Sequence, residues 1–213
     1  MFTLKHNSTR YLAQAAIAAI LMGCFVAPMP GCAKNKDFKL PENTGEDLRK
    51  AMDFASRGET LRKQGKFADA AQQYQKSIEA KNDIGAVWVN YGVCLMELHD
   101  FIPAREAFMR AANLLPSDPT PYENLGTLYL NRGYADKALE YYELSLQSNP
   151  NWLPSLRGVI IAARDLRKYS QKGLDYIDTA IMIEKDPKYL RLMQAERFRV
   201  QDALKNRRSS SEE

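Results

Sequence analysis

The chain has 213 residues, of which 45% are hydrophobic and 26% are charged, a composition typical of a folded domain and not of a disordered chain. Its formal net charge is +4. Lys5 and Arg10 are the basic residues of a leading segment without acids, so the remainder carries 28 basic and 26 acidic residues. This balance lacks the concentrated basic face that nucleic-acid binding requires, and no nucleic-acid partner is expected.

The first 31 residues have the pattern of a targeting segment. Lys5 and Arg10 form a basic start, an apolar run follows over residues 11–20, and after Leu21 and Met22 come small residues and prolines. This order predicts an export signal. An uncleaved N-terminal anchor is the alternative, although Gln14 and Gly23 interrupt the stretch of about 20 apolar residues that a bilayer span needs. Either reading predicts that the remainder is exported.

Two cysteines of this segment, Cys24 and Cys32, each follow a glycine. The arrangement resembles a bacterial lipoprotein signal, which is cut before a cysteine that then carries acyl chains. Cys32 is favoured because the polar residues 33–37 follow it, and Cys24 is the alternative because Leu21 stands three residues before it. The resemblance implies a lipid-anchored protein of the bacterial envelope that faces the periplasm, at the outer membrane in preference to the inner one.

Residues 32–46 are polar, contain Pro41 and Gly45, and are interpreted as a tether. Beyond the leading segment and Cys32, Cys94 is the one cysteine left, so no disulfide within the folded part is possible. An exported domain of this kind must therefore depend on its apolar core.

From about residue 47 the hydrophobic pattern is helical and repeats with a stride of 34 residues. Large apolar residues, glycines, alanines, aromatic rings and small residues recur in separate columns. The columns are Phe54, Trp88, Tyr122 and Leu156; Gly58, Gly92 and Gly126; Ala70, Ala104 and Ala138; Tyr74, Phe108 and Tyr142; Ser77, Ala111 and Ser145. Small residues let two helices approach closely, and rings fill the space beside them. The pattern predicts stacked pairs of antiparallel helices.

These columns resemble the tetratricopeptide repeat (TPR). The resemblance implies an all-α fold, an α-solenoid of about four helical hairpins with a C-terminal capping helix. The TPR domain is predicted over 47–184, with repeats at about 51–84, 85–118, 119–152 and 153–184, followed by a capping helix at 185–206 and a disordered tail at 207–213. In repeat four, a one-residue insertion brings Gly173 and Ala180 onto the small-residue positions.

Local signals refine the elements. Asp118 and Asp186 each precede a proline and are predicted to cap a helix. Gly133 suits a left-handed turn between helices. In the capping helix, Tyr189, Leu190, Met193 and Phe198 are predicted to face the stack.

No catalytic constellation is found, and the chain is interpreted as a non-enzyme without cofactor, metal or small-molecule substrate. Cys94 lies between apolar residues of a helix and is predicted to be a buried thiol. His99 falls at a turn, five residues away, a spacing that places the two side chains on different helix faces. One histidine and one cysteine in the exported part cannot form a zinc site.

What remains is a surface. In the TPR family the first helices of the hairpins line a concave groove, and the resemblance implies a groove for a peptide or helix of a partner protein. Carried over residue by residue, the groove comprises Met52, Ala55, Glu59, Val89, Asn90, Val93, Met96, Glu123, Asn124, Thr127, Leu130 and Arg157.

Two alternatives stay open at this groove. Asn90 and Asn124 occupy matching positions, where an amide either grips a partner's backbone or bonds the neighbouring hairpin. Val89 and Met96 either contact a partner or pack within the stack. One subtype of the family clamps a C-terminal carboxylate with Lys and Asn at positions where this chain has Ala55 and Glu59, so that mode is not expected.

The resulting hypothesis is a membrane-anchored adaptor or scaffold for an envelope complex such as a pilus or secretion apparatus, loosely similar to pilotin-type TPR lipoproteins. The alternative is a regulatory adaptor for an envelope protease or cell-wall hydrolase. The two differ in the client and not in the fold.

Overall fold

The computed structural model of the protein describes residues 44–209. This range contains nine α-helices and no strand: α1 Thr44–Lys63, α2 Phe67–Ala80, α3 Gly85–Glu97, α4 Phe101–Leu114, α5 Thr120–Asn131, α6 Ala135–Ser148, α7 Leu153–Asp165, α8 Gln171–Ile183 and α9 Pro187–Ser209. The predicted signal segment, both candidate lipidation cysteines, most of the predicted tether and residues 210–213 lie outside the described residues.

The helices pair in chain order as four hairpins, α1/α2, α3/α4, α5/α6 and α7/α8, and α9 follows. The first helices of neighbouring hairpins contact one another, from α1 through α3, α5 and α7 to α9, whereas within 44–209 the second helices of neighbouring hairpins do not. The first helices therefore form the inner side of a curved stack, with α9 in the place of a further first helix. The predicted α-solenoid of four helical hairpins with a C-terminal helix is confirmed.

The 34-residue columns form the contacts between the two helices of each hairpin. Phe108 and Tyr142 are buried rings on the second helices. A Cβ atom on Gly92 would lie 2.6 Å from Cε1 of Phe108, and one on Gly126 would lie 2.6 Å from Cδ1 of Tyr142. Glycine is thus required because each ring rests directly on the backbone of the preceding helix. Gly158 on α7 also faces the Tyr142 ring, although it lies outside the stride.

The ends of the solenoid correct two predicted boundaries. Helix α1 begins at Thr44, so residues 44–46 are helical and not part of a tether; Glu46 pairs with Lys50 across 2.8 Å and stabilises this first turn. Helix α9 continues to Ser209, so residues 207–209 are helical and not disordered. Arg207 donates a hydrogen bond of 2.9 Å to the Tyr169 carbonyl, which holds this end of α9 against the α7–α8 turn.

Helix α9 buries Met193, Glu196 and Val200. Phe198 is 72% exposed, so the prediction that it faces the stack is wrong. The buried positions follow a helical spacing of three and four residues, which leaves residue 198 on the opposite side of the helix.

In repeat four the one-residue insertion is confirmed at Ala180, which is fully buried, and Ile177 is buried at the position of the rings. The role predicted for Gly173 is wrong, because a Cβ atom there would meet only the Ser170 hydroxyl, at 3.4 Å. The predicted caps are confirmed: Asp118 accepts a hydrogen bond from the Thr120 amide and Asp186 one from the Lys188 amide, both at 2.8 Å.

Candidate partner-binding groove

The inner helices α1, α3 and α5 carry most of the predicted groove residues, and these differ in exposure. Met52 is 53% exposed. The half-buried members are Ala55, Glu59, Asn90, Val93, Met96, Glu123, Thr127, Leu130 and Arg157. Val89 is 8% exposed, so it packs within the stack and the prediction that it contacts a partner is corrected. The reason is that α3 has a hairpin on each side.

At the α1 end of the groove, Glu59 is the centre of a charged network. Arg62 donates two hydrogen bonds to its carboxylate, at 2.8 and 2.9 Å, and the Tyr74 hydroxyl donates a third at 3.1 Å. Lys63 approaches to 3.3 Å. These donors, Arg62 foremost, lower the pKa of Glu59 to about 2. The carboxylate is therefore ionised and fixed in position.

At the α5 end, Glu123 and Thr127 form a hydrogen-bonded pair. The Thr127 hydroxyl donates to Glu123 at 3.0 Å and lies 3.1 Å from the hydroxyl of Tyr142. Burial raises the pKa of Glu123, and the hydrogen bond from Thr127 offsets part of that rise. Burial likewise raises the pKa of Tyr142 to about 12. Within the described range no charged side chain bonds Glu123, whereas Arg62 and Lys63 approach Glu59 at the other end.

The two ends of the groove share one pairing between the inner helices and the second, outer helices of the hairpins. In repeats one and three a tyrosine on the second helix bonds a polar residue fifteen positions earlier, as Tyr74 bonds Glu59 and Tyr142 bonds Thr127. In repeat two the ring is Phe108, without a hydroxyl, and the corresponding inner residue is Val93. Each tyrosine thus faces a polar side chain and the phenylalanine faces an apolar one, so both tyrosine hydroxyls have a hydrogen-bond partner.

Between these polar ends lies an apolar middle. Val93 and Met96 pack against the buried cluster that contains Leu95 and Phe108. Leu130, one helix further, packs against the cluster of repeats three and four. All three inner side chains keep part of their surface accessible. The groove thus combines accessible apolar side chains on α3 and α5 with the charged network around Glu59 and the hydrogen-bonded pair of Glu123 and Thr127.

The two matching asparagines are not equivalent. Asn124 is 9% exposed, and its amide donates to the Thr120 carbonyl of its own helix at 2.9 Å. This bond belongs to neither alternative raised from the sequence, since it reaches no partner and no neighbouring hairpin. Asn90 is half-buried on α3. Its contact with a partner stays a prediction.

Arg157 is engaged at the junction with α9. Its Nε donates to Glu184 at 2.7 Å, and its guanidinium lies 4.0 Å from the centre of the Tyr189 ring. Although burial raises the pKa of Glu184, hydrogen bonds from the Asp186 amide, Arg157 and the Lys185 amide lower it overall. Arg157 therefore connects α7 to the α8–α9 junction and to the last helix, and its predicted role in the groove stays a prediction.

The two residues considered for chemistry from the sequence are Cys94 and His99. Cys94 is fully buried, as predicted, and burial raises the pKa of its thiol to about 11. His99 is exposed in the α3–α4 turn. Among residues 44–209 there is no group of three or more His, Cys, Asp or Glu placed to hold a metal ion. In the same range no helix combines the length and the apolar character needed to cross a membrane.

Comparison with known proteins agrees with this architecture. The family model described as tetratricopeptide repeat matches residues 120–151. Over 97 residues, the chain is 29% identical to anaphase-promoting complex subunit 6 of Arabidopsis thaliana, an alignment that covers 43% of this chain and 18% of that protein. The chain spans less than a fifth of the length of the curated relatives that it matches.

Two solved structures share the fold. PilF of Pseudomonas aeruginosa superposes with a TM-score of 0.63 at 21% identity, covering 76% of this chain and 72% of that chain. The first TPR domain of Spaghetti (RPAP3), solved with the HSP90 peptide SRMEEVD, gives a TM-score of 0.54 at 22% identity, covering 57% of this chain and 96% of that chain. The described part of this chain is a TPR-like α-solenoid.

Proposed function

We propose that the chain is an adaptor that binds a partner protein in the groove along α1, α3 and α5. The observation that carries this proposal is the accessible apolar strip of Val93, Met96 and Leu130 between the polar groups around Glu59 and Glu123. A strip of this kind takes the apolar face of a helix or of an extended segment. Met52, which is 53% exposed on the inner helix α1, is a further apolar side chain of the proposed groove.

The anchored, envelope-bound role is the second part of the proposal. A lipid on Cys32, or alternatively on Cys24, holds the protein on a bacterial membrane facing the periplasm, where it takes part in assembling a pilus or secretion apparatus. Its support is the pair of Gly-Cys motifs, the polar segment that follows Cys32, and the fold likeness to PilF. At 21% identity that likeness concerns the fold alone.

Co-purification from detergent-solubilised membranes tests the groove and identifies the client. Met96→Glu places a charge on the apolar strip, and we expect it to abolish client capture while the helical circular-dichroism signal is kept. Met109→Glu, on the outer helix α4 where Met109 is 47% exposed, is the matched control and should capture normally. If the wild type, Met96→Glu and Met109→Glu capture the client equally, the groove proposal is overturned. An outer-membrane subunit as client supports the assembly role, and a soluble protease or cell-wall hydrolase supports the alternative adaptor role.

Intact mass of the mature protein tests the anchor. We expect the mass of a polypeptide that begins at Cys32 and carries acyl chains, and Cys32→Ser should release the protein from membranes. A mass that begins at Cys24 identifies the other site. An unmodified full-length mass contradicts the lipoprotein proposal without touching the groove.

A further inference from the structure

The four hairpin turns share one backbone feature. Each turn has a residue with positive φ at the same position of the repeat, a station that recurs every 34 residues. These residues are Gly65 at 74°, His99 at 62°, Gly133 at 79° and Arg167 at 52°. Glycine adopts this conformation freely, whereas a side chain is disfavoured there. Two turns use glycine, so the fold itself does not need a side chain at this station. A side chain in this conformation costs conformational energy that glycine would not, so we ask what the side chain does.

Arg167 lines a cavity of about 360 Å³ at the α7–α8 turn. Lys168, Lys172 and Arg207 line the same cavity, and among residues 44–209 Glu143 is the one acid in its lining. Lys172 is paired with Glu143 across 2.8 Å. The lining therefore carries three positive charges in excess, a local concentration within a part of the chain that is otherwise close to neutral.

The walls of this cavity are apolar and aromatic. Tyr169 and Tyr176 line it together with Leu139, Val159 and Ala163. The Lys172 ammonium lies 5.5 Å from the centre of the Tyr176 ring. A recess with apolar walls and a basic rim is complementary to an apolar side chain flanked by carboxylates.

A similar cavity between the earlier hairpins has a smaller excess of basic residues than the cavity at the α7–α8 turn. The cavity beside the α3–α4 turn, of about 520 Å³, is lined by His99 and by aromatic residues including Phe101, with two arginines and one aspartate. One of those arginines, Arg132, lies over the Phe101 ring at 4.8 Å. The stations that hold Arg167 and Lys168 in the α7–α8 turn hold Gly133 and Tyr134 in the α5–α6 turn and His99 and Asp100 in the α3–α4 turn.

We propose that the cavity at the α7–α8 turn binds an acidic segment of a partner protein, through a site separate from the groove. The occupant inserts an apolar side chain between the tyrosines while its carboxylates meet Arg167 and Lys168. A membrane carries negative charge as well, but a flat layer of head groups does not fill a recess walled by apolar side chains. The proposal goes beyond groove binding and does not depend on it.

Fluorescence anisotropy with the full chain tests this site. The probe is a fluorescein-labelled, capped peptide of alternating Glu and Leu, and the matched peptide has Gln in place of Glu. We expect the acidic peptide to bind, the Gln peptide to bind much more weakly, and added salt to weaken binding. Arg167→Gly combined with Lys168→Gln should weaken binding by roughly tenfold.

The controls separate this site from folding, from the groove and from membranes. Arg167→Gly relieves the strained φ, so its melting temperature should not fall, and His99→Gly makes the same change in the other turn and should bind normally. Met96→Glu should also bind normally, which separates this result from that of the groove. Unchanged affinity in the Arg167/Lys168 variant overturns the proposal. So does Arg167-dependent binding to phosphatidylglycerol–phosphatidylcholine vesicles without peptide binding.

Discussion

The contact between Gly126 and Tyr142 allows the hairpin geometry to be tested with one methyl group. In Gly126→Ala the new Cβ atom would lie 2.6, 2.7 and 2.9 Å from Cδ1, Cε1 and Cγ of the Tyr142 ring. Carbon atoms in contact are normally about 3.5–4.0 Å apart, so the ring must move. Tyr142 is buried and its hydroxyl lies 3.1 Å from that of Thr127, so a shift also strains this hydrogen bond.

The net magnitude follows from opposing effects. Forcing a methyl group into a close-packed contact destabilises a protein by about 1–3 kcal/mol, and loss of the Thr127–Tyr142 hydrogen bond adds about 1 kcal/mol. Alanine favours a helix over glycine by about 1 kcal/mol. We therefore expect Gly126→Ala to lower the free energy of unfolding by about 2 kcal/mol. For a domain of this size that corresponds to a melting temperature lower by roughly 4–8 °C.

Thermal melts and urea denaturation followed by circular dichroism measure this change. Gly45→Ala is the control, because that helical glycine has no atom within 4 Å of an added Cβ, and it should not destabilise. A second variant, Gly126→Ala with Tyr142→Leu, should recover part of the loss because the smaller side chain makes room. If Gly126→Ala is instead as stable as the wild type or more so, the ring does not rest on α5 and the proposed hairpin contact is wrong.

Three further predictions concern single groups. The pKa of Glu59 is about 2 in the folded protein, below its ordinary value. As the pH falls, Glu59 is therefore protonated in the unfolded chain before it is protonated in the folded one. The stabilisation that ionised Glu59 gives the folded state is present above about pH 4.5 and is lost as the pH falls toward the folded pKa. Glu59→Gln should remove about 1 kcal/mol of that pH dependence in urea titrations, allowing for solvent screening. Glu184→Ala should lower the free energy of unfolding by about 2 kcal/mol and speed hydrogen exchange in α9, because Arg157, whose side chain is 30% exposed, loses its charged hydrogen-bond partner; unchanged exchange contradicts this role. Cys94 should resist thiol reagents until the protein unfolds, and rapid labelling of the native protein contradicts its burial.

The hairpin architecture was predictable because it depends on contacts that repeat. Gly92 opposite Phe108 and Gly126 opposite Tyr142 recur at one stride, so the sequence contains several independent copies of the same signal. The pairing between second-helix rings and inner-helix residues could also have been predicted from the sequence. Tyrosine pairs with a polar residue fifteen positions earlier in two repeats, and Phe108 pairs with Val93 in the other, but this match is visible only when the columns are compared with each other.

Features that occur once were not predictable in the same way. Arg157 and Glu184 lie 27 residues apart, and nothing periodic links them. The exposure of Phe198 depends on how α9 is rotated against α7 and α8, which a single apolar residue does not determine. The partner-binding role of the groove residues stays a prediction, because burial and hydrogen bonds describe a surface and not its occupant.

Site-specific photo-crosslinking in cells tests the central claim, that the inner face of the solenoid holds a partner protein, most directly. A photoreactive residue at Met52, which is 53% exposed on the inner helix α1, is compared with one at Met109, which is 47% exposed on the outer helix α4. Because the two positions are similarly accessible, a random encounter labels both alike. We predict a specific crosslinked partner from Met52 and none from Met109. Crosslinks from Met109 to a specific partner, with none from Met52, would contradict the account.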